Sequence, residues 1–113
     1  MHELAVTESI ISVVERHARE AQAQRVLRIH LRIGELASIV DDSVQFYFDQ
    51  LSPGTLAEGA QLVFERLPIS LRCRACGHCW QPSAGDWTCP ACGASKAALA
   101  GGNEFQIDHI EVE

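Results

Sequence analysis

The sequence predicts an α+β fold: two helices packed on a small three-stranded sheet, with a four-cysteine zinc-ribbon subdomain inserted between strands. Three observations predict it. Apolar residues recur at helical spacing near the start and again after residue 41. Apolar and polar residues alternate strictly through 25–34, and strand patterning returns in the tail. All five cysteines fall in one stretch, from Cys73 to Cys92. A chain of 113 residues suits one compact unit or a domain with a small appendage.

From Leu4 to Ala21, the residues Leu4, Thr7, Ile11, Val14, Ala18 and Ala21 step by three or four. Val6, Ile10 and Val13 widen that stripe, while Glu8, Ser12, Glu15, Arg16 and Arg19 lie opposite. This is a one-sided amphipathic helix. In RVLRIHLRIG (25–34), Leu27, Ile29, Leu31 and Ile33 face one way and Arg28, His30 and Arg32 the other. Period two with one polar face predicts a strand in a sheet covered on one side. DDSVQFYFDQL reads as the second helix, capped by Asp42 or Ser43 and buried through Val44, Tyr47, Phe48 and Leu51. Ser52-Pro53-Gly54 ends it. Residues 61–71 read as one further strand, with Pro68 marking an edge or a bulge. The tail NEFQIDHIEVE is the third strand, its phase slipping near Asp108-His109. The expected division is therefore 1–71 plus 102–113 for the main domain and 72–101 for the inserted ribbon.

The cysteine segment reads CRACGHCWQPSAGDWTCPACG. Cys73 and Cys76 form one C-x-x-C pair, Cys89 and Cys92 the other, and glycine follows each as Gly77 and Gly93. Two-residue spacing lets one tight turn aim two sulfurs at the same ion, and the glycine lets the backbone turn beneath them. Two such knuckles predict a tetrahedral, structural Zn(II) site; iron is the minor alternative for an all-sulfur site. Four thiolates close the coordination sphere, so the expected role is a folding staple. Cys79 is left as a spare thiol or an alternative ligand. His78 is read as exposed, and Trp80 and Trp87 as cover for the ribbon's small core.

Formal charge excludes some functions. Asp and Glu number 15 against 9 Lys and Arg, a net charge of −6, which does not favour phosphate binding. The ribbon's Arg72, Arg74 and Lys96 outweigh Asp86 locally, but the remaining chain is acidic. No apolar stretch has the length of a membrane span, and no H-E-x-x-H pattern suggests an open catalytic zinc. Without a leader-like pattern at the start, a cytoplasmic protein is expected.

The first three residues are Met-His-Glu. The Met1 amine, the backbone nitrogen of His2 and its imidazole can form fused chelate rings around one ion, with Glu3 adding a carboxylate oxygen. Such nitrogen-rich coordination suits Ni(II) or Cu(II). These residues alone more readily describe a frayed end with an exposed histidine. His17, His30 and His109 are read as structural or solvated.

The order of MHE, an amphipathic helix, RIGELASIV, GTLAEGA, a double C-x-x-C insertion and an acidic terminal strand resembles the HypA/HybF family of hydrogenase nickel-incorporation proteins. The resemblance spans essentially the whole chain. It implies a metallochaperone rather than an enzyme, with Ni(II) as transient cargo and Zn(II) as a structural ion. It implies His2 as the principal nickel ligand, with roles for Met1 and Glu3 in some members, and zinc on Cys73, Cys76, Cys89 and Cys92. It further implies a HypB-type GTPase and the [NiFe]-hydrogenase large-subunit precursor as partners, and urease maturation proteins for some members. Neither nucleic acid nor membrane is an expected partner. Some members carry a histidine behind each C-x-x-C pair; here His78 follows the first, while Gly93 follows the second. The rival reading is a zinc-ribbon interaction adaptor that delivers no nickel.

Overall fold

The computed structural model describes residues 2–83 and 85–113. These form two α-helices and six strands in two three-stranded sheets. Helix α1 spans Glu3–Glu20. It buries Thr7, Ile10, Ile11, Val14 and Ala18, the expected stripe except at its ends: Leu4 is 46% exposed, and Ala21 is an exposed C-cap. Thr7 is fully buried because its hydroxyl donates to the Glu3 carbonyl one turn back, at 2.6 Å. At the other end the N–H of Ala23 reaches the Ala18 carbonyl and that of Gln22 the Arg19 carbonyl. This reversal puts Gln22 at φ 58°, where glycine more often stands.

Strand β1, Val26–Gly34, is the middle of the first sheet. Ile29, Leu31 and Ile33 are fully buried, as the alternation requires, and Arg28 is exposed on the other face. A single 3-10 turn, Glu35–Ala37, leads towards helix α2, Asp41–Leu51. α2 packs against α1 and buries Val44 and Phe48. The expected cap is not found: Val40 occupies the N-cap position and makes no side-chain cap bond. The helix covers the expected Asp41–Leu51, but its cap lies two residues before Asp42, which places Asp41 and Asp42 inside the first turn, where their charge favours the positive end of the helix dipole. The Val40 N–H is taken instead by the Glu3 carboxylate, at 3.1 Å.

GTLAEGA satisfies its own turn. The Gly54 N–H donates to Glu58 Oε1 at 3.0 Å, and the Thr55 hydroxyl to the Ser52 carbonyl at 2.7 Å. The Leu56 N–H reaches Glu15 Oε2 of α1 at 3.0 Å.

The segment 61–71 is not one strand. Strand β2 is Gln61–Leu67 and belongs to the first sheet; β3, Ser70–Cys73, belongs to the second. Pro68 marks the change of sheet, since proline has no N–H for a ladder. Gly102 packs so closely there that a Cβ on it would lie 2.6 Å from the Ile69 Cα. β3 is the middle of the second sheet, flanked antiparallel by β4, Cys79–Trp80, and β5, Ala97–Gly101. Neither flanking strand has a sequence pattern long enough to read.

Strand β6, Phe105–Val112, returns to the first sheet beside β1. Arg25 and Glu113 exchange backbone bonds at one end, and the Gly34 N–H meets the Glu104 carbonyl at the other, so β6 runs antiparallel to β1. Asp108 and His109 are exposed in succession, which is the expected slip of phase. Cα packing divides the chain into two compact units. One comprises residues 1–32, 38–65 and 106–113; the other comprises 33–37 and 66–105.

Candidate metal centres

The second unit is built around sulfur. Cys73 closes β3, and the chain folds back at once: the Gly77 N–H donates to the Cys73 carbonyl at 2.8 Å and the Cys73 N–H to the His78 carbonyl at 2.8 Å. The second pair repeats the pattern. The Gly93 N–H donates to the Cys89 carbonyl at 2.9 Å, and the Cys89 N–H to the Ala94 carbonyl at 3.0 Å. Gly77 and Gly93 sit at φ 80° and 77°, a conformation that side chains rarely adopt. The two knuckles bring Cys73, Cys76, Cys89 and Cys92 together with all sulfurs within 4.8 Å of one another. Cys73 and Cys92 lie 3.6 Å apart, as do Cys76 and Cys89. All five cysteines are free. A tetrahedral ion with metal–sulfur bonds of ~2.3 Å needs sulfurs about 3.8 Å apart, so the donor set fits Zn(II) closely.

The electrostatics point the same way. Backbone N–H groups, first that of Cys76 and then that of Ala75, draw the Cys73 thiol down to about 6 against the effect of its burial. The N–H of His78 acts in the same sense on Cys76, but burial and the neighbouring thiols outweigh it and push Cys76 up to about 12. Cys89 is lowered: burial opposes, but the N–H groups of Cys92 and Ala91 and the thiols of Cys76 and Cys92 prevail. Cys92 is raised: the N–H of Ala94 and the Cys76 thiol lower it, but the Cys73 thiol, burial and the Cys89 thiol outweigh them. Four thiols so close cannot all ionise without a compensating cation, and a divalent ion supplies it. Cys79 stands apart and exposed, its sulfur 3.9 Å from the Gly77 carbonyl. His78 is exposed and stacks on Trp80 at 5.9 Å. Trp87 is 40% exposed.

At the amino end, His2 is exposed and forms the N-cap of α1 without a side-chain bond. Its carbonyl accepts the Val6 N–H at 2.9 Å, which fixes its backbone at the helix start. Glu3 is the first helical residue, and the Val40 N–H, followed by its own, holds its carboxyl below the usual carboxylate range. Met1 lies outside the described residues.

A third group of donors was not anticipated. His30 of β1 and His109 of β6 stack with ring centres 3.9 Å apart, tilted by 17°. Glu111 joins them: its Oε2 lies 2.7 Å from His30 Nε2, and its Oε1 accepts from Arg28 Nη1 at 2.7 Å. His109 Nδ1 lies 2.8 Å from Asp108 Oδ2. The alternation correctly assigns His30 to the polar face. What it cannot supply is the partner strand and its register, because that pairing spans about eighty residues. His17 lines a cleft of about 310 Å³ with Val13, Val14 and the β6 segment that includes Asp108 and His109.

Comparison with known proteins gives a consistent result. Residues 1–112 match the family model described as "Hydrogenase/urease nickel incorporation, metallochaperone, hypA". A "Hydrogenase maturation factor HypA" of Dehalococcoides mccartyi is 45% identical over 113 residues, covering all of this chain and 95% of that protein. The factor of the same name from Geobacter metallireducens is 37% identical, with both chains fully covered. Among solved structures, the solution structure of the Ni metallochaperone HypA from Helicobacter pylori aligns with a TM-score of 0.70 at 27% identity, covering 99% of this chain and 97% of that one.

Proposed function

The chain belongs to the HypA family of hydrogenase and urease nickel-incorporation metallochaperones, and from that premise we propose that it carries Ni(II) at its amino end as cargo. The donors are the Met1 amine, the backbone nitrogen and imidazole of His2, and the Glu3 carboxylate. The recipient is the [NiFe]-hydrogenase large-subunit precursor, with a HypB-type GTPase as partner and urease maturation proteins as further candidates, in the cytoplasm. Zn(II) on Cys73, Cys76, Cys89 and Cys92 is the resident, structural ion. The action is binding and transfer, with no bond made or broken in a substrate.

The observation that carries this reading is the match of residues 1–112 to the nickel-incorporation family. The exposure of His2 supports it physically. A carrier must hold its ion and then surrender it. Ligands at an exposed chain end can be replaced one at a time by those of a recipient, whereas a closed four-thiolate site offers no vacant position. The two ions thus differ in exchangeability because their sites differ in enclosure.

Titration calorimetry of untagged, zinc-loaded protein tests the proposal. One tight equivalent of nickel is expected. His2→Ala, or any extension that blocks the Met1 amine, should abolish that event and leave the zinc content unchanged. Unaltered tight binding in His2→Ala would place the nickel elsewhere. Uptake of zinc alone would leave only an adaptor built on the ribbon.

A further inference from the structure

We propose that the outer face of the first sheet carries a second, weaker divalent-metal site, formed by one ring nitrogen each of His30 and His109 with a carboxylate oxygen of Glu111. It stands on these three residues and is independent of the proposed site at the amino end.

The geometry is that of a ligand set already assembled. The three donor atoms lie within 4.8 Å of one another, on two strands whose pairing fixes their separation. Two ligands at ~2.1 Å from one ion are at most about 4.2 Å apart, so small side-chain rotations complete the set. His30 and Glu111 have side chains 25% and 40% exposed, which leaves room for that rotation and for an ion to enter. Asp108 supplies what a ligating histidine ordinarily has, a carboxylate on its other nitrogen. With Nδ1 held there, Nε2 of His109 is the nitrogen left to bind an ion. The ion would take the place of the proton shared between His30 Nε2 and Glu111 Oε2.

Two imidazoles and one carboxylate suit borderline ions such as Ni(II), Cu(II) and Zn(II) rather than Mg(II) or Ca(II). Arg28 sets the strength. Its guanidinium already neutralises Glu111, so the site offers an incoming dication little net negative charge. Affinity is therefore low and exchange fast, and solvent molecules complete the coordination.

The experiment uses zinc-loaded, untagged His2→Ala protein, titrated with nickel chloride by calorimetry and followed by NMR of the histidine side chains. One weak event is expected to remain, with paramagnetic broadening concentrated on the rings of His30 and His109. Adding His30→Gln with His109→Gln should remove that event. Glu111→Gln, which keeps the shape of the side chain, should weaken it by about tenfold or more. Circular dichroism shows that each variant is folded. Absence of any nickel event in His2→Ala, or its persistence when His30 and His109 are both replaced, would overturn the proposal. Retention of the tight event in His2→Ala would instead count against the amino-end site, and the His30 and His109 replacements would still decide this one.

Discussion

Glu3 shows how one side chain can serve two purposes. Its carboxylate accepts the Val40 N–H and so joins the start of α1 to the approach to α2. The same bond, with its own backbone N–H, holds its pKa below the ordinary carboxylate value. In unperturbed peptides an α-amine titrates near ~8 and an imidazole near ~6.5. Nickel affinity is accordingly expected to fall steeply from mildly alkaline to mildly acidic pH, through competition at nitrogen rather than oxygen. Calorimetry across that range reads it directly; a flat profile would contradict nitrogen ligation at the chain end. At this scale the sequence was informative where ligands are local. C-x-x-C-G gathers two sulfurs within one turn, and the spacing is visible on the page. His30, His109 and Glu111 come together only through strand pairing, and their sequence positions carry no sign of it.

The elements with unbroken periodicity were legible. α1 and β1 have stripes long enough to settle both type and inward face, and the doubled exposure at Asp108-His109 follows from the slip in the tail pattern. Three features were not legible, each for its own reason. The strand pattern of residues 61–71 looks continuous, but Pro68 and the close approach of Gly102 divide it between two sheets. The two-residue strand β4 is too short for any pattern. The start of α2 depends on a tertiary acceptor, Glu3, rather than on a local cap. Gly34, which reads simply as the end of β1, proves to be a packing requirement: a Cβ there would overlap the carbonyl of Gly102. Because the obstacle is backbone, it cannot swing aside. Gly34→Ala is therefore expected to destabilise the protein by about 3 kcal/mol or more, read from the denaturant midpoint. A change of only a few tenths would show that the two segments need not lie so close.

At the scale of the whole molecule, the two compact units are held together by different forces. The first buries a full set of apolar side chains, with Ile10, Val14, Ile29, Leu31, Val44 and Phe48 each at most 1% exposed. In the second, the fully buried large side chains are Ile33, Leu71, Cys73 and Cys89. So small an apolar core needs a metal to hold it. Removing zinc with a strong chelator is expected to abolish amide-exchange protection across residues 70–101 while α1 and β1 keep theirs. Undiminished protection of β3 and β5 would show that the sheet alone suffices. The same contrast underlies the proposed function: one ion is enclosed and retained, and the other is exposed and passed on. The central claim is that the travelling ion avoids the sulfur site. X-ray absorption at the nickel edge, on zinc-loaded protein carrying one equivalent of nickel, tests it most directly. A first shell of nitrogen and oxygen only is expected, with imidazole scattering that disappears when His2→Ala is combined with His30→Gln and His109→Gln; sulfur bound to nickel would contradict the account.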